Sequence, residues 1–260
     1  MNPLILSMML LLQNSPADSV IAKIAVEQKL NAVIDRSIPF VDETGRAVRL
    51  GEYFAGKPVI LTPVYYACPM LCGELLNGFV RALRVMPFTA GKEFEIVTFS
   101  IDPAEKPGLA AAKKALYLHD YERRGAEAGW HFLTGPAESV NKLAEEIGFR
   151  YTYDNGTRQW AHASTIVVLT PDGRISQYFN GIEFQPRDLR LSLVQASSGG
   201  IGSIADHVLL YCYQYDATTG KYSLAVMRVV RLCGILTVLA LGAFMWNSWR
   251  KTGGMSPQRG

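Results

Sequence analysis

Hydrophobic residues recur along the middle of this chain in two alternating patterns, one typical of buried strands and the other typical of helices. Continuous apolar runs, bounded by Gly, Pro or Asp, predict buried strands at residues 59–66, 94–101 and 163–169. Apolar residues spaced three and four positions apart predict helices at residues 20–36, 73–86, 106–127, 138–147 and 186–196.

Shorter patterns add further strands. Residues 38–41 and 47–50 flank the turn Asp42-Glu43-Thr44-Gly45 and predict an N-terminal β-hairpin. Residues 130–133 predict a short strand, and residues 149–153 predict an edge strand. Residues 174–179 predict a strand that pairs back on residues 163–169 through the turn Pro171-Asp172-Gly173.

This order of elements predicts an α/β fold, with a partly parallel, mixed sheet flanked by helices. The globular domain is expected to span residues 37–198, which is near the usual size of one domain. The predicted N-terminal helix at 20–36 precedes it, and Ser197-Ser198-Gly199-Gly200 marks the start of a linker.

The C-terminal part contains a candidate transmembrane helix at residues 228–249. Residues 232–249 are 18 residues without a charge, and a bilayer core needs about 20 residues of helix. Trp246 and Trp249 are placed like interfacial aromatics, and Arg250 and Lys251 follow them. Residues 199–227 are then a juxtamembrane linker, and residues 250–260 are a short tail.

The orientation of this span does not follow from charge. Three basic residues precede the uncharged run 232–249 and three follow it: Lys221, Arg228, Arg231, Arg250, Lys251 and Arg259. Near the N-terminus, an apolar run is followed by small and polar residues. We expect residues 1–19 to be either a signal peptide or an apolar anchor.

Composition narrows the functional classes. The chain has 260 residues, of which 49% are hydrophobic, with a formal net charge of +3. This composition suits one globular domain with additions, and it is unlike that of a disordered or fibrous chain. The basic residues are too few and too scattered to indicate nucleic-acid binding. Four cysteines are too few for a disulfide scaffold at this length.

Two of the cysteines lie in the motif Cys68-Pro69-Met70-Leu71-Cys72, between a predicted strand and a predicted helix. Cysteines four positions apart at the start of a helix project on one face, and a helix N-terminus favours thiolates. Such a pair is either a redox couple or part of a soft-metal site. Three intervening residues, rather than the two of thioredoxin-type motifs, also suit two thiolates on one ion.

A metal site needs a further ligand, for which histidine is the usual residue. His119 is expected on the surface, His131 as a hydrogen-bonded core residue, and His207 in the linker. His162 stands at the start of the predicted strand 163–169, and ligand sites in α/β sheets gather at strand ends. On position alone, a structural and a functional role both stay open for His162.

Residues 38–196 resemble the Sco/SenC family, the thioredoxin-like copper proteins of cytochrome c oxidase assembly. The resemblance is carried by residues 65–72, by Ser100-Ile101-Asp102-Pro103, by His162 with the strand after it, and by Pro171-Asp172-Gly173. In this family, two cysteines and a histidine bind one copper ion. The resemblance therefore implies a thioredoxin-like fold and a site for Cu(I) or Cu(II) at Cys68, Cys72 and His162.

By this resemblance, we expect a membrane-anchored copper chaperone that delivers copper to cytochrome c oxidase during its assembly. The expected location is the bacterial inner membrane, with the globular domain facing the periplasm. Expected partners are the copper-bearing oxidase subunit, other copper carriers or thiol reductants, and the membrane, but no nucleic acid.

The alternative is a thiol–disulfide oxidoreductase. In that reading, Cys68 and Cys72 are a catalytic pair that reduces the cysteines of the copper-accepting subunit. Thioredoxin-type oxidoreductases place a cis-proline opposite their cysteines, but no proline stands beside His162. This difference favours the carrier over a classical enzyme.

Two features depart from the family pattern. Members commonly carry their anchor at the N-terminus, whereas the stronger candidate span here is C-terminal. Asp102-Pro103 is followed by Ala104-Glu105-Lys106-Pro107, where many members have an Arg-Asp-Thr-Pro-like run. We expect Asp102 to cap the following helix rather than to bind metal.

Overall fold

A computed structural model of the chain describes residues 24–68 and 71–201, and in the C-terminal part residues 215–216, 221–222, 234–239, 241–242 and 245–246. The chain divides into two compact units, residues 1–202 and residues 203–260. The predicted N-terminal segment 1–19 and the predicted tail 250–260 lie outside the described residues.

The first unit alternates strands and helices. Its strands are β1 (Ala25–Val26), β2 (Pro39–Val41), β3 (Ala47–Arg49), β4 (Val59–Val64), β5 (Glu95–Ser100), β6 (Trp130–Leu133), β7 (Phe149–Asp154), β8 (Gln159–His162), β9 (Thr165–Leu169) and β10 (Ile175–Asn180). Its helices are α1 (Leu71–Val85), α2 (Pro107–Tyr121), α3 (Ala137–Glu146) and α4 (Pro186–Ser197), with short 3-10 turns at Leu50–Tyr53 and Ala126–Ala128.

A five-stranded sheet in the order β10-β9-β4-β5-β6 forms the centre of this unit. Strands β4, β5 and β6 are parallel, whereas β9 is antiparallel to β4 and β10 is antiparallel to β9. Every residue of β4, β5 and β9 is buried. Because side chains alternate between the faces of a strand, both faces of the sheet must be covered. The predicted mixed, thioredoxin-like α/β fold is confirmed.

The predicted N-terminal helix at 20–36 is wrong over residues 24–36. Residues Ala25–Val26 instead form β1, which pairs antiparallel with β7. Asn31 has a φ of 65°, which a right-handed helix excludes, and its N–H donates to the carbonyl of Ile175 at 2.9 Å. The backbone of this segment therefore bonds to distant strands, which the local spacing of apolar residues cannot reveal.

The strand predicted at residues 149–153 is present as β7, but its predicted edge position is wrong, because β7 is the middle strand of a separate sheet, β1-β7-β8. Strand β8 was not predicted. It pairs antiparallel with β7, with Tyr151 opposite His162 and Tyr153 opposite Trp160. His162 therefore ends β8 instead of starting the central strand, and two residues separate it from β9.

Helix α2 is shorter than the predicted helix at 106–127. It ends at Tyr121, and Glu122 follows in the left-handed conformation, with a φ of 56° and its N–H bonded to the carbonyl of Leu118. A left-handed residue just past the last turn is a common way to end a helix.

The second unit is described in short stretches. Strands β11 (Tyr215–Asp216) and β12 (Lys221–Tyr222) pair antiparallel within the predicted linker. Residues 234–239, 241–242 and 245–246 are helical. Within the described part of the chain, no helix has both the length and the apolar character that crossing a membrane requires. The rest of the predicted span 228–249 lies outside the described residues.

Candidate metal centre

The topology brings three loops to one edge of the central sheet. Strands β4 and β5 are parallel in register, so the loops that follow Val64 and Ser100 leave the sheet at the same edge. Strand β9 is antiparallel to β4, so it begins at this edge, just after His162. Ligand sites in open α/β sheets lie outside the carboxyl ends of the strands.

Cys68 is half-buried in the turn that follows β4, where its N–H donates to the carbonyl of Tyr65 at 3.3 Å. It therefore lies ahead of helix α1, while Cys72 lies in the first turn of that helix. The side chain of Cys72 is outside the described residues. Among the described side chains, no group of three or more His, Cys, Asp or Glu residues could hold a metal ion. The site of Cys68, Cys72 and His162 remains a prediction.

The imidazole of His162 is half-buried and held in one tautomer. Its Nδ1 lies 2.8 Å from the carbonyl oxygen of Ala163. Because a carbonyl oxygen only accepts hydrogen bonds, Nδ1 carries a hydrogen, and in the neutral imidazole Nε2 is then the nitrogen with the lone pair. Metal-binding histidines are commonly oriented in this way by the nitrogen that does not bind the metal.

Aromatic rings place His162 beside the loop that follows β4 and carries Cys68, which we call the cysteine loop. Its ring meets that of Tyr65 edge-on, with centroids 6.0 Å apart, and it also contacts Phe149 at 5.8 Å. Tyr65 is buried and directly follows β4, three residues before Cys68. The fold therefore brings His162 to the segment that carries Cys68, although nearly a hundred residues separate them in sequence.

Glu105 lies behind the cysteine loop and was missed by the sequence analysis. Its side chain is buried, with 8% relative exposure. Its Oε2 accepts the N–H of Tyr66 at 2.8 Å, and its Oε1 accepts the N–H of Ala67 at 2.6 Å. Ser100 Oγ also donates to Oε2, at 2.5 Å. The unusual run after Asp102-Pro103 was the available signal, but it does not tell which carboxylate turns inward.

Asp102 does not cap helix α2, so that prediction is wrong. The helix begins at Pro107 with Lys106 in the N-cap position, and no side chain caps it. Asp102 Oδ1 instead accepts the N–H of Ala104 at 2.9 Å. Its carboxylate stabilises the turn ahead of the helix, in the manner of an Asx turn.

Tyr66 anchors the same loop to the central sheet through its hydroxyl. Its hydroxyl donates to the carbonyl of Leu133 at 2.8 Å, with the carbonyl oxygen of Thr98 at 3.1 Å. Burial, and after it the charges of Glu105 and Glu43, raise the pKa of Tyr66 well above its ordinary value. The hydroxyl is therefore a neutral donor at neutral pH.

A small cavity of about 10 Å³, room for one water molecule, lies under the cysteine loop. Its walls are formed by Tyr65, Tyr66, Cys68, Gly73, Leu76, Lys113 and Tyr117. Lys113 and Cys68 therefore border the same cavity.

The remaining histidines do not join the site in the described residues. His119 is exposed, as predicted, and pairs with Asp120 at 3.1 Å. His131 is half-buried and contacts the ring of Tyr53, with centroids 4.2 Å apart and ring planes tilted by 35°, but its Nε2 is 3.7 Å from the Glu95 carboxylate. That distance is too long for the predicted hydrogen bond. His207 lies outside the described residues.

Comparison with known proteins decides the family. A family model described as SCO1/SenC matches residues 26–195. The chain belongs to the SCO1/SenC family. This membership confirms the resemblance inferred from the motifs around Cys68, Asp102 and His162.

Several known proteins are similar to this chain over its globular domain. The chain is 25% identical over 162 residues to the SCO1 protein homolog of Bacillus subtilis (strain 168), covering 61% of this chain and 80% of that protein. It matches the crystal structure of an Aquifex aeolicus VF5 protein with a TM-score of 0.58 and 25% identity, over 66% of this chain and 96% of that one. It also matches Arabidopsis thaliana ScoI, solved with copper bound, with a TM-score of 0.50 and 16% identity, over 62% and 96% of the two chains. The last match shows the shared fold.

Proposed function

We propose that this SCO1/SenC protein is a membrane-anchored copper chaperone that delivers copper to cytochrome c oxidase during its assembly. The observation that carries the proposal is the placement of His162. Its ring packs against Tyr65 at the base of the cysteine loop, and its Nδ1–H is held by a backbone carbonyl. Nε2 is then the nitrogen that can bind a metal.

The donor set fits copper as cargo. The thiolates of Cys68 and Cys72 are soft ligands that suit Cu(I), and the imidazole of His162 extends the set to Cu(II). Cys68 and His162 are both only half-buried, so the ligands of an acceptor can reach an ion held between them. Transfer then proceeds by exchange of ligands with the acceptor.

Family membership supports the choice of metal and acceptor. A relative of the same fold, Arabidopsis thaliana ScoI, has been solved with copper bound. The motifs around Cys68, Asp102 and His162 match those of copper proteins of cytochrome c oxidase assembly. The copper-bearing subunit of the oxidase is therefore the proposed acceptor.

The proposal includes a C-terminal anchor at residues 228–249 and a globular domain on the periplasmic side of the bacterial inner membrane. Its support is the uncharged run 232–249 and the helical conformation of the described residues within it. Several apolar side chains there are exposed, among them Leu236 at 64% and Val238 at 70%. Exposed apolar side chains along a helix suit a lipid environment.

Copper loading of the full chain in mild detergent tests the metal site. The reduced protein is expected to bind one copper per chain and to show a sulfur-to-Cu(II) charge-transfer band. His162→Ala is expected to abolish the band and to lower the copper affinity more than about 100-fold. This loss is larger than the loss expected when a residue that only hydrogen-bonds to a metal ligand is replaced. His119→Ala, which removes an exposed histidine, is the matched control. Unchanged copper stoichiometry in both Cys68→Ser and His162→Ala refutes the site.

The same variants distinguish the alternative, a thiol–disulfide oxidoreductase. In that reaction, the two thiols of Cys68 and Cys72 become a disulfide as a disulfide of the acceptor becomes two thiols. The oxidoreductase reading is supported if the protein retains no copper and its reduction of acceptor disulfides persists in His162→Ala but is lost in Cys72→Ser. That result would contradict the chaperone proposal.

A further inference from the structure

A buried carboxylate grips the backbone immediately ahead of Cys68. Both oxygens of Glu105 accept N–H groups from consecutive residues, Tyr66 at 2.8 Å and Ala67 at 2.6 Å. Ionised acceptors form shorter and stronger hydrogen bonds than neutral ones. Two such bonds from one carboxylate fix the orientation of two successive peptide planes.

The glutamate is itself fixed. Ser100, at the end of β5, donates its hydroxyl to Glu105 Oε2 at 2.5 Å, and its Oγ also accepts the N–H of Asp102 at 3.0 Å. Tyr66 is held at its other end by the carbonyl of Leu133, at the end of β6. The segment ahead of Cys68 is therefore tied to β5, the parallel neighbour of β4, and to β6, the next strand of the sheet.

This grip bears on both halves of the proposed copper site. Tyr65, whose carbonyl group belongs to the first of these peptide planes, packs its ring against His162. Cys68 follows Ala67 directly. A displacement of the backbone at Tyr66 and Ala67 would therefore move both the Tyr65 ring that contacts His162 and the backbone of Cys68.

We propose that Glu105 is a positioning residue for the copper site. Its carboxylate holds the segment from Tyr65 to Cys68 in the binding geometry before copper arrives and after it leaves. This inference rests on the proposed copper-binding function and assigns part of the preorganisation of that site to one residue. Prior fixation of ligands raises affinity because less conformational freedom is lost on binding.

The test compares Glu105→Gln with the unmodified full chain in mild detergent. Glutamine keeps the size of the side chain, but its amide NH₂ opposes one of the two backbone N–H groups. Exchange of the Tyr66 and Ala67 amide hydrogens in the reduced, copper-free protein is expected to become at least tenfold faster. The Cu(I) affinity, measured by competition with a chromophoric chelator, is expected to fall about 10- to 100-fold, the range for outer-shell partners of metal ligands.

Two further variants complete the test. Glu127→Gln, at an exposed glutamate, is the matched control and should change neither quantity. Ser100→Ala removes the hydroxyl donor and leaves both backbone bonds in place. It should lower the affinity a few-fold, and it decides the question if Glu105→Gln fails to fold.

The outcomes separate this inference from the proposed function. If the unmodified chain binds copper and the Glu105→Gln protein binds it equally well, the positioning role is overturned and the copper site stands. Faster amide exchange without a loss of affinity has the same meaning. If the unmodified chain binds no copper, the proposed function and the positioning role fail together.

Discussion

The phenol ring of Tyr65 meets the imidazole of His162 edge-on, with ring centroids 6.0 Å apart and ring planes at 79°. Tyr65 follows β4 in the central sheet, whereas His162 ends β8 in the smaller sheet β1-β7-β8. This contact therefore joins the two sheets at the candidate metal centre. It leaves the orientation of the imidazole dependent on a residue that belongs to the cysteine loop.

Replacement of Tyr65 should therefore weaken copper binding. An aromatic pair of this kind contributes about 0.5–1.5 kcal/mol beyond the burial of its area. Tyr65→Ala removes the ring and is expected to lower copper affinity about 2- to 10-fold, as measured by chelator competition.

Tyr65→Phe serves as the matched control because it keeps the ring and removes only the hydroxyl. We expect it to lose less affinity than Tyr65→Ala. An equal loss in the two variants would show that the hydroxyl, and not the ring contact with His162, supports the site.

Gly78 marks a close approach between helix α1 and the backbone at Ile182. A Cβ atom at Gly78 would lie 1.7 Å from the carbonyl oxygen of Ile182. Gly78→Ala must push the helix away and is expected to lower the free energy of unfolding by at least about 1–3 kcal/mol, the usual cost of overpacking. Urea unfolding followed by circular dichroism measures the change.

Gly108→Ala is the control for this prediction. Gly108 is also helical, in α2, but a Cβ there would meet no atom of the described residues within 4 Å other than its chain neighbours and its own helix backbone. Alanine should raise the free energy of unfolding there by up to about 1 kcal/mol, through its higher helix propensity. Equal effects of the two substitutions would contradict the close contact at Ile182.

Asp42 is expected to make the stability of the β2–β3 hairpin depend on pH. Burial alone raises the pKa of Asp42, but hydrogen bonds from Thr44 and Arg46 outweigh it and hold the pKa below its ordinary value. The stabilisation is thus complete above the unfolded pKa of about 3.9 and is lost as the pH falls through the lower pKa of the folded state.

Asp42→Asn tests this pH dependence. The variant should lose about 1–3 kcal/mol of unfolding free energy at pH 7, because hydrogen bonds to a charged acceptor are replaced. Its loss relative to the unmodified protein should shrink as the pH falls from about 4 towards 2. If the difference in unfolding free energy between the two proteins stays constant from pH 4 to about pH 2, the ionised carboxylate makes no contribution.

Removal of the second unit should release the protein from membranes. The full chain is expected to sediment with membranes and to need detergent for extraction, since the proposed anchor lies at residues 228–249. A chain that ends after residue 202, the boundary of the first compact unit, is expected in the soluble fraction. Sedimentation of the shortened chain with membranes would place the anchor elsewhere.

Much of the fold could be predicted because its signals are local. The β2–β3 hairpin follows from two short apolar runs around Asp42-Glu43-Thr44-Gly45, and α3 follows from helical spacing that stops at Gly148. The spacing of Cys68 and Cys72 pointed to the candidate metal centre for the same reason. In each case, the residues that determine the feature are close neighbours in the chain.

Features that depend on distant partners could not be predicted. Residues 24–36 have helical spacing but extend along β7 and the β9–β10 turn, because their backbone groups find hydrogen bonds there. Strand β8 exists through its pairing with β7.

At the candidate metal centre, the sequence alone determined the residue types and the motifs that carry the chemistry. Only the tertiary structure decided that His162 packs on Tyr65 and that Glu105, rather than Asp102, supports the cysteine loop. The physical reason is that a side chain takes its role from the groups its burial brings within reach, and these lie on strands far apart in the sequence.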